Sequence, residues 1–224
     1  MQRIQSVVVF GFAIMVAAWV AAWAIGSGWA ATASAAPAAD PCRTVALGLR
    51  ERLESVTEAV IDGRTSAVPR ATDHVVSWWK RERGPLASRT QADSLINLMA
   101  RASLRHRPRE AARIAVQLSA QSLEWCPGTP TGTTRTDDQL MIVDLAGMAG
   151  WLRARGAHLD WPGDVRGASE ALASQLVARQ HGPMAARLRS AVAATLSTPE
   201  SAAGDVHAAL RLLDLVDEIE KVLR

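Results

Sequence analysis

No histidine pair, cysteine pair or nucleophile–base grouping in this sequence has a spacing that metal or covalent chemistry requires. The five histidines, His74, His106, His158, His181 and His207, occur singly. None lies four residues from another, the spacing that turns two imidazoles to one side of a helix. Neither His-Glu-x-x-His nor Cys-x-x-Cys-His is present. A metal site would therefore have to be assembled from facing helices. Met99, Met141, Met148 and Met184 fall on or beside apolar stripes and read as core filling rather than copper ligands. Ser77-Trp78-Trp79-Lys80 has the serine-x-x-lysine form of penicillin-binding enzymes, but the partner motifs Ser-Asp-Asn and Lys-Thr-Gly are missing. Asp73, His74 and Ser77 are the residue types of a triad, yet groups on one helix splay apart and a triad is defined by its geometry. No catalytic residue and no cofactor is assigned, and catalysis ranks behind binding.

Charge is also missing where it is usually plentiful. The first 39 residues carry one charged side chain, Arg3, ahead of an apolar run from Val7 to Ile25 and a small-residue stretch, Thr32 to Ala39. That layout is expected of residues 1–35 acting as a secretory signal peptide, with cleavage after Ala33-Ser34-Ala35. The apolar run is 19 residues long, which also suits an uncleaved N-terminal membrane anchor. Either way the rest of the chain is expected outside the cytoplasm, because Arg3 and the amino terminus stay inside. The expected location is periplasmic or secreted, or tethered to the inner membrane by residues 7–25. Cys42 follows Ala39-Asp40-Pro41 rather than small or apolar residues, which argues against a lipid attachment site. Two cysteines in an exported chain then predict one disulfide, Cys42–Cys126.

Sustained period-two alternation bounded by hairpin turns is absent, whereas helical periodicity recurs almost everywhere after Cys42. The expected class is all-α, a bundle of seven or eight helices with one disulfide and with two four-helix units as the alternative arrangement. Val45, Leu49, Leu53, Val56 and Val60 form the stripe of a first helix ending at Gly63. A second runs from about Thr72 to Arg83, before Gly84-Pro85. Thr90 with Asp93 is expected to cap a third, with the stripe Leu95, Leu98, Met99 and Ala102. Pro108 starts a fourth, which buries Ile114, Ala115 and Leu118 and ends at Trp125-Cys126-Pro127. Residues 127–135 read as a Gly/Thr/Pro linker between an N-terminal bundle, 36–126, and a C-terminal unit, 136–224. In the second unit Thr136 with Gln139 is expected to cap a helix carrying Leu140, Val143, Gly147 and Trp151. Asp164 opens the next, with Val165, Leu172 and Leu176, and Gly182-Pro183 stops it. A seventh carries Met184, Leu188 and Val192. The last starts at Thr198-Pro199 with the face Val206, Leu210, Leu213 and Val216. In an up-down-up-down bundle the first helix begins where the fourth ends, so Cys42–Cys126 would clasp one end of the N-terminal bundle.

Two surface groupings carry the functional expectation. Adjacent tryptophans cannot both face the core of one helix, since neighbouring positions are about 100° apart. Trp78 and Trp79, with Lys80, Arg81 and Arg83, are therefore expected to form an interaction patch. Arg101, Arg105, Arg107, Arg109 and Arg113 are expected to form a surface for an anion or acidic partner, because guanidinium forks bind carboxylate and phosphate. Asp214, Asp217, Glu218 and Glu220 make an acidic face that would complement it within or between molecules. Residues 36–135 hold 15 Lys or Arg against 10 Asp or Glu, and residues 136–224 hold 9 against 12. The basic half invites an acidic protein or a lipid headgroup. Nucleic acid is not an expected partner outside the cytoplasm. The expected function is a non-catalytic exported binding or adaptor module that engages another periplasmic or membrane protein, or a membrane surface. The alternative is a periplasmic helical carrier or sensor of a small ligand or metal ion.

Overall fold

Asp40 opens the first helix, α1 (Pro41–Ile61), by accepting the Cys42 amide on its side chain, while Pro41 occupies a first-turn position that needs no donor. The computed structural model describes residues 40–86, 91–126, 133–197 and 206–224. Among them are eight α-helices, two 3-10 turns and no strand, so the chain is all-α. After α1 come α2 (Val68–Glu82), α3 (Gln91–Leu104), α4 (Pro108–Ser122), α5 (Thr133–Arg153), α6 (Val165–Ala178), α7 (Gly182–Leu196) and α8 (Val206–Leu223). Residues 1–35, most of the proposed linker, Thr90 and Thr198-Pro199 lie outside the described residues.

Helices α1 to α4 enclose a core built on Leu49, Leu53, Val56, Val75, Trp79, Met99, Ile114 and Leu118. The Cys42–Cys126 disulfide, with Cα atoms 5.7 Å apart, joins the start of α1 to the turn that follows α4, which ends at Ser122 rather than at Trp125-Cys126, and so clasps the expected end of the bundle. A second core contains Leu172, Leu176, Leu188, Val192, Leu212 and Ile219 from α6, α7 and α8. Helix α5 serves both: Leu145, Met148 and Leu152 enter the first core, and Leu140, Val143 and Ala146 the second. Its close approach to α8 depends on Gly147, where a Cβ would come within 2.7 Å of the Leu213 side chain.

Several local expectations are corrected. Helix α2 begins at Val68, four residues earlier than expected, with Pro69 in its first turn, where the missing amide donor costs nothing. Helix α5 begins at Thr133, so Thr136 lies inside it. The Thr136 hydroxyl donates to Gln175 of α6 at 3.0 Å, and Gln175 donates on to Gln139 at 3.0 Å. What looked like a cap is a polar tie between helices. Gly182-Pro183 begins α7 instead of stopping α6. The stop is Gln180, whose φ of 67° turns the chain so that the His181 amide reaches the Leu176 carbonyl at 2.8 Å. In α3 the buried stripe is Ala92, Ile96, Met99 and Ala102, and Leu98 is exposed. In α8 the deeply buried residues are Leu212, Leu215, Val216 and Ile219, while Val206, Leu210 and Leu213 are partly buried against the first core. A helix wedged between two cores has no single apolar phase.

Candidate functional site

The tryptophan patch divides. Trp79 is buried, its indole Nε1 donates to Asp93 Oδ1 at 2.6 Å, and its ring tilts against Trp125 at 6.1 Å. Arg83 pairs with the same carboxylate at 2.9 Å. These two side chains thus tie the end of α2 to the first turn of α3. Trp78 points the other way and is half-buried: it lies across α1 at Gly48, where a Cβ would meet its ring at 2.7 Å. The Arg52 guanidinium stands 4.6 Å from its ring centre. Lys80 and Arg81 are exposed.

The arginine series also divides. Arg101, and Arg105 in the turn just past α3, continue the outward face of that helix with Leu98, 45% exposed, and Leu104, 76% exposed. These four positions fall within about 120° of helix arc, opposite Ile96 and Met99. Neither arginine is in an ion pair among the described residues. Arg107 and Arg109, exposed at the start of α4, face a cleft of about 630 Å³ whose lining includes Val60, Ile61, Pro108, Glu110, Trp151 and Arg155. Arg107 pairs with Glu110 at 3.3 Å, and the Arg155 guanidinium stacks 4.4 Å from the Trp151 ring centre. Arg113, partly buried, donates to Gln117 at 3.4 Å.

The acidic face does not meet the arginines among the described residues. Glu218 pairs with Arg187 at 2.9 Å and Glu220 with Arg224 at 2.7 Å. Asp217 and Glu220 of α8 instead act on Glu54 of α1 and Asp144 of α5. Burial first, and then Glu58, Glu220, Asp217 and Glu51, push the Glu54 carboxyl up to about 7. Burial first, and then Glu54, Asp217, Glu58 and Glu220, hold the Asp144 carboxyl well above the usual carboxylate range. A carboxyl raised on folding binds more protons in the native state, so its contribution is fully present below the unfolded value near 4.5 and lost as pH rises through about 7. Urea unfolding should therefore show stability falling between pH 5 and pH 8, and Glu54→Gln should flatten that fall and stabilise the chain at pH 8 by on the order of 2 kcal/mol. A variant with the parental pH profile would show that the acidic seam formed by Glu54, Asp144 and Asp217 is solvated.

A buried cation went unread in the sequence. Arg50 is 5% exposed; its Nε donates to Ser122 Oγ at 2.7 Å and its Nη2 to the Ser122 carbonyl at 2.9 Å. Asp138 of α5, bonded to Arg43 at 2.7 Å, lies 3.7 Å from Arg50. Burial lowers the Arg50 pKa, and Asp138 opposes that shift. The available signal was its place between Ala46 and Leu53, on the buried side of α1.

Ser77, Asp73 and His74 are all exposed on α2, with no hydrogen bond joining them among the described residues. Among the described residues no group of three or more His, Cys, Asp or Glu is arranged to hold a metal ion, and no helix is long and apolar enough to cross a membrane. No family model, curated protein or solved structure matches the chain.

Proposed function

We propose that the chain is an exported, non-catalytic binding module whose α3 face engages an acidic segment of another envelope protein. The carrying observation is Leu104, 76% exposed next to Arg105 and one turn from Arg101, with Leu98 completing the strip. A large apolar side chain left in water beside guanidiniums that make no ion pair among the described residues matches a partner with an apolar ridge and flanking carboxylates. Leucine supplies the buried area of such a contact, and the arginines supply steering and register. Export rests on the N-terminal pattern and accords with a disulfide, which an oxidising compartment preserves.

The test places a photo-crosslinking residue at position 104 in the full chain and another at position 177, where the exposed Val177 of α6 serves as control. A discrete partner crosslinked only from position 104, and lost when Arg101→Glu and Arg105→Glu are introduced together, is the expected result. Those exposed substitutions should shift stability by less than about 0.5 kcal/mol while weakening capture about tenfold or more. Equal crosslinking from both positions, or capture indifferent to the charge reversal, would refute the assignment.

A further inference from the structure

We infer that the cleft at the meeting of α1, α4 and α5 binds a small organic anion, a phosphate or carboxylate carried on an apolar body. This site lies apart from the α3 strip and stands or falls on different residues. Its walls are Val60 and Ile61 at the end of α1, Pro108 at the start of α4 and the buried Trp151 near the end of α5. At about 630 Å³ it falls within the usual size of small-molecule sites. Three arginines from two distant stretches of sequence converge there, Arg107, Arg109 and Arg155, against one carboxylate, Glu110.

The pairing around the cleft determines what charge is left for a ligand. Glu110 is engaged by Arg107 at 3.3 Å. Arg109 and Arg155 have no carboxylate partner among the described residues. The Arg155 guanidinium stands over the Trp151 ring, 4.4 Å from its centre, with its donors available to an anion that could be held bidentately. Arg107, at the N-cap of α4, makes no side-chain cap hydrogen bond, and the helix N-terminus adds to the positive field beside the cleft. The apolar walls are what separate this site from a simple phosphate cradle. They favour a ligand whose anionic head is joined to a flat or branched hydrocarbon part.

Calorimetric titration of the full chain with phenyl phosphate tests the assignment, with inorganic phosphate and phenol as the separated head and body. Saturable binding of phenyl phosphate, about tenfold tighter than inorganic phosphate, is expected. Arg109→Ala and Arg155→Ala should each weaken it about tenfold, the scale of a lost charge-assisted hydrogen bond. Arg166→Ala, which removes the same charge from an exposed position on α6, should leave it unchanged. Arg109 is on an exposed first turn, so its variant remains decisive even if Arg155→Ala unsettles Trp151. Absence of saturable binding, or equal weakening by Arg166→Ala, would overturn the site. Vesicles of phosphatidylglycerol distinguish the source: displacement of phenyl phosphate assigns the site to a lipid headgroup, and no displacement to a soluble molecule, and either supports the anion chemistry.

Discussion

Replacing Cys42 by Ser should lower the stability of the oxidised protein by about 4 kcal/mol, seen as a fall of roughly 10 °C in melting temperature. The two cysteines are 84 residues apart, and the conformational entropy removed from the unfolded chain grows with the logarithm of that loop length. The bond also closes the end of the bundle at which α1 begins and α4 finishes. Two other ties act near that end: Arg50 binds Ser122 of α4, and Arg43 binds Asp138 of α5. Because they persist without the disulfide, the variant should remain helical and unfold cooperatively rather than lose its N-terminal bundle. Urea titrations of the parent with and without reductant, alongside Cys42→Ser, measure the effect. A loss below about 1 kcal/mol, or thiols that titrate in protein isolated without reductant, would mean that the bond does not constrain the chain.

Trp79→Ala should cost about 3 to 5 kcal/mol, and Trp78→Ala clearly less, about 1 to 2 kcal/mol. Trp79 loses a buried indole packed on Trp125 and also the donor that satisfies Asp93. Its carboxylate still keeps Arg83 at 2.9 Å, which limits the electrostatic part of the penalty. Trp78 is half-buried, and its removal forfeits the Arg52 stack and the contact over Gly48 without opening a cavity inside the bundle. Trp79→Phe separates the two losses at the buried position, since it keeps most of the volume and drops the hydrogen bond; it should fall between the other variants. Thermal melts of all three give the order. Equal destabilisation by Trp78→Ala and Trp79→Ala would contradict the burial that distinguishes them.

The interaction patch expected at residues 78–83 is therefore a smaller surface than its composition implied. Trp79 is buried and bonded to Asp93, which leaves the half-buried Trp78 and the exposed Lys80, Arg81 and Arg83, the last paired with the same carboxylate. Exposed apolar area is greater on α3, where Leu98 and Leu104 flank Arg101. Sequence reasoning marked the arginines but placed Leu98 inside. Positions 95, 98, 99 and 102 and positions 92, 96, 99 and 102 are both acceptable helical stripes, about a sixth of a turn apart. Only the neighbours, α2 and α4, select between them.

What the sequence determined by itself is what is encoded within a few turns of helix. The all-α class, the stripe of α1, the Asp164 cap of α6 and the start of α4 at Pro108 all depend on local periodicity and on backbone donors that a nearby side chain must satisfy. The disulfide was legible as well, because two cysteines allow one intramolecular pairing. Tertiary structure decided whatever depends on more than one partner. Helix α5 divides its faces between two cores, α8 is buried on two sides, and Thr136 bonds across to α6 rather than along its own helix. The cleft draws Arg109 and Arg155 together across 46 residues of sequence, and the acidic seam joins Glu54, Asp144 and Asp217 from three helices. Periodicity states which side of a helix is apolar. It does not state which helix that side will meet, and a site made of side chains from different helices exists only once that choice is made.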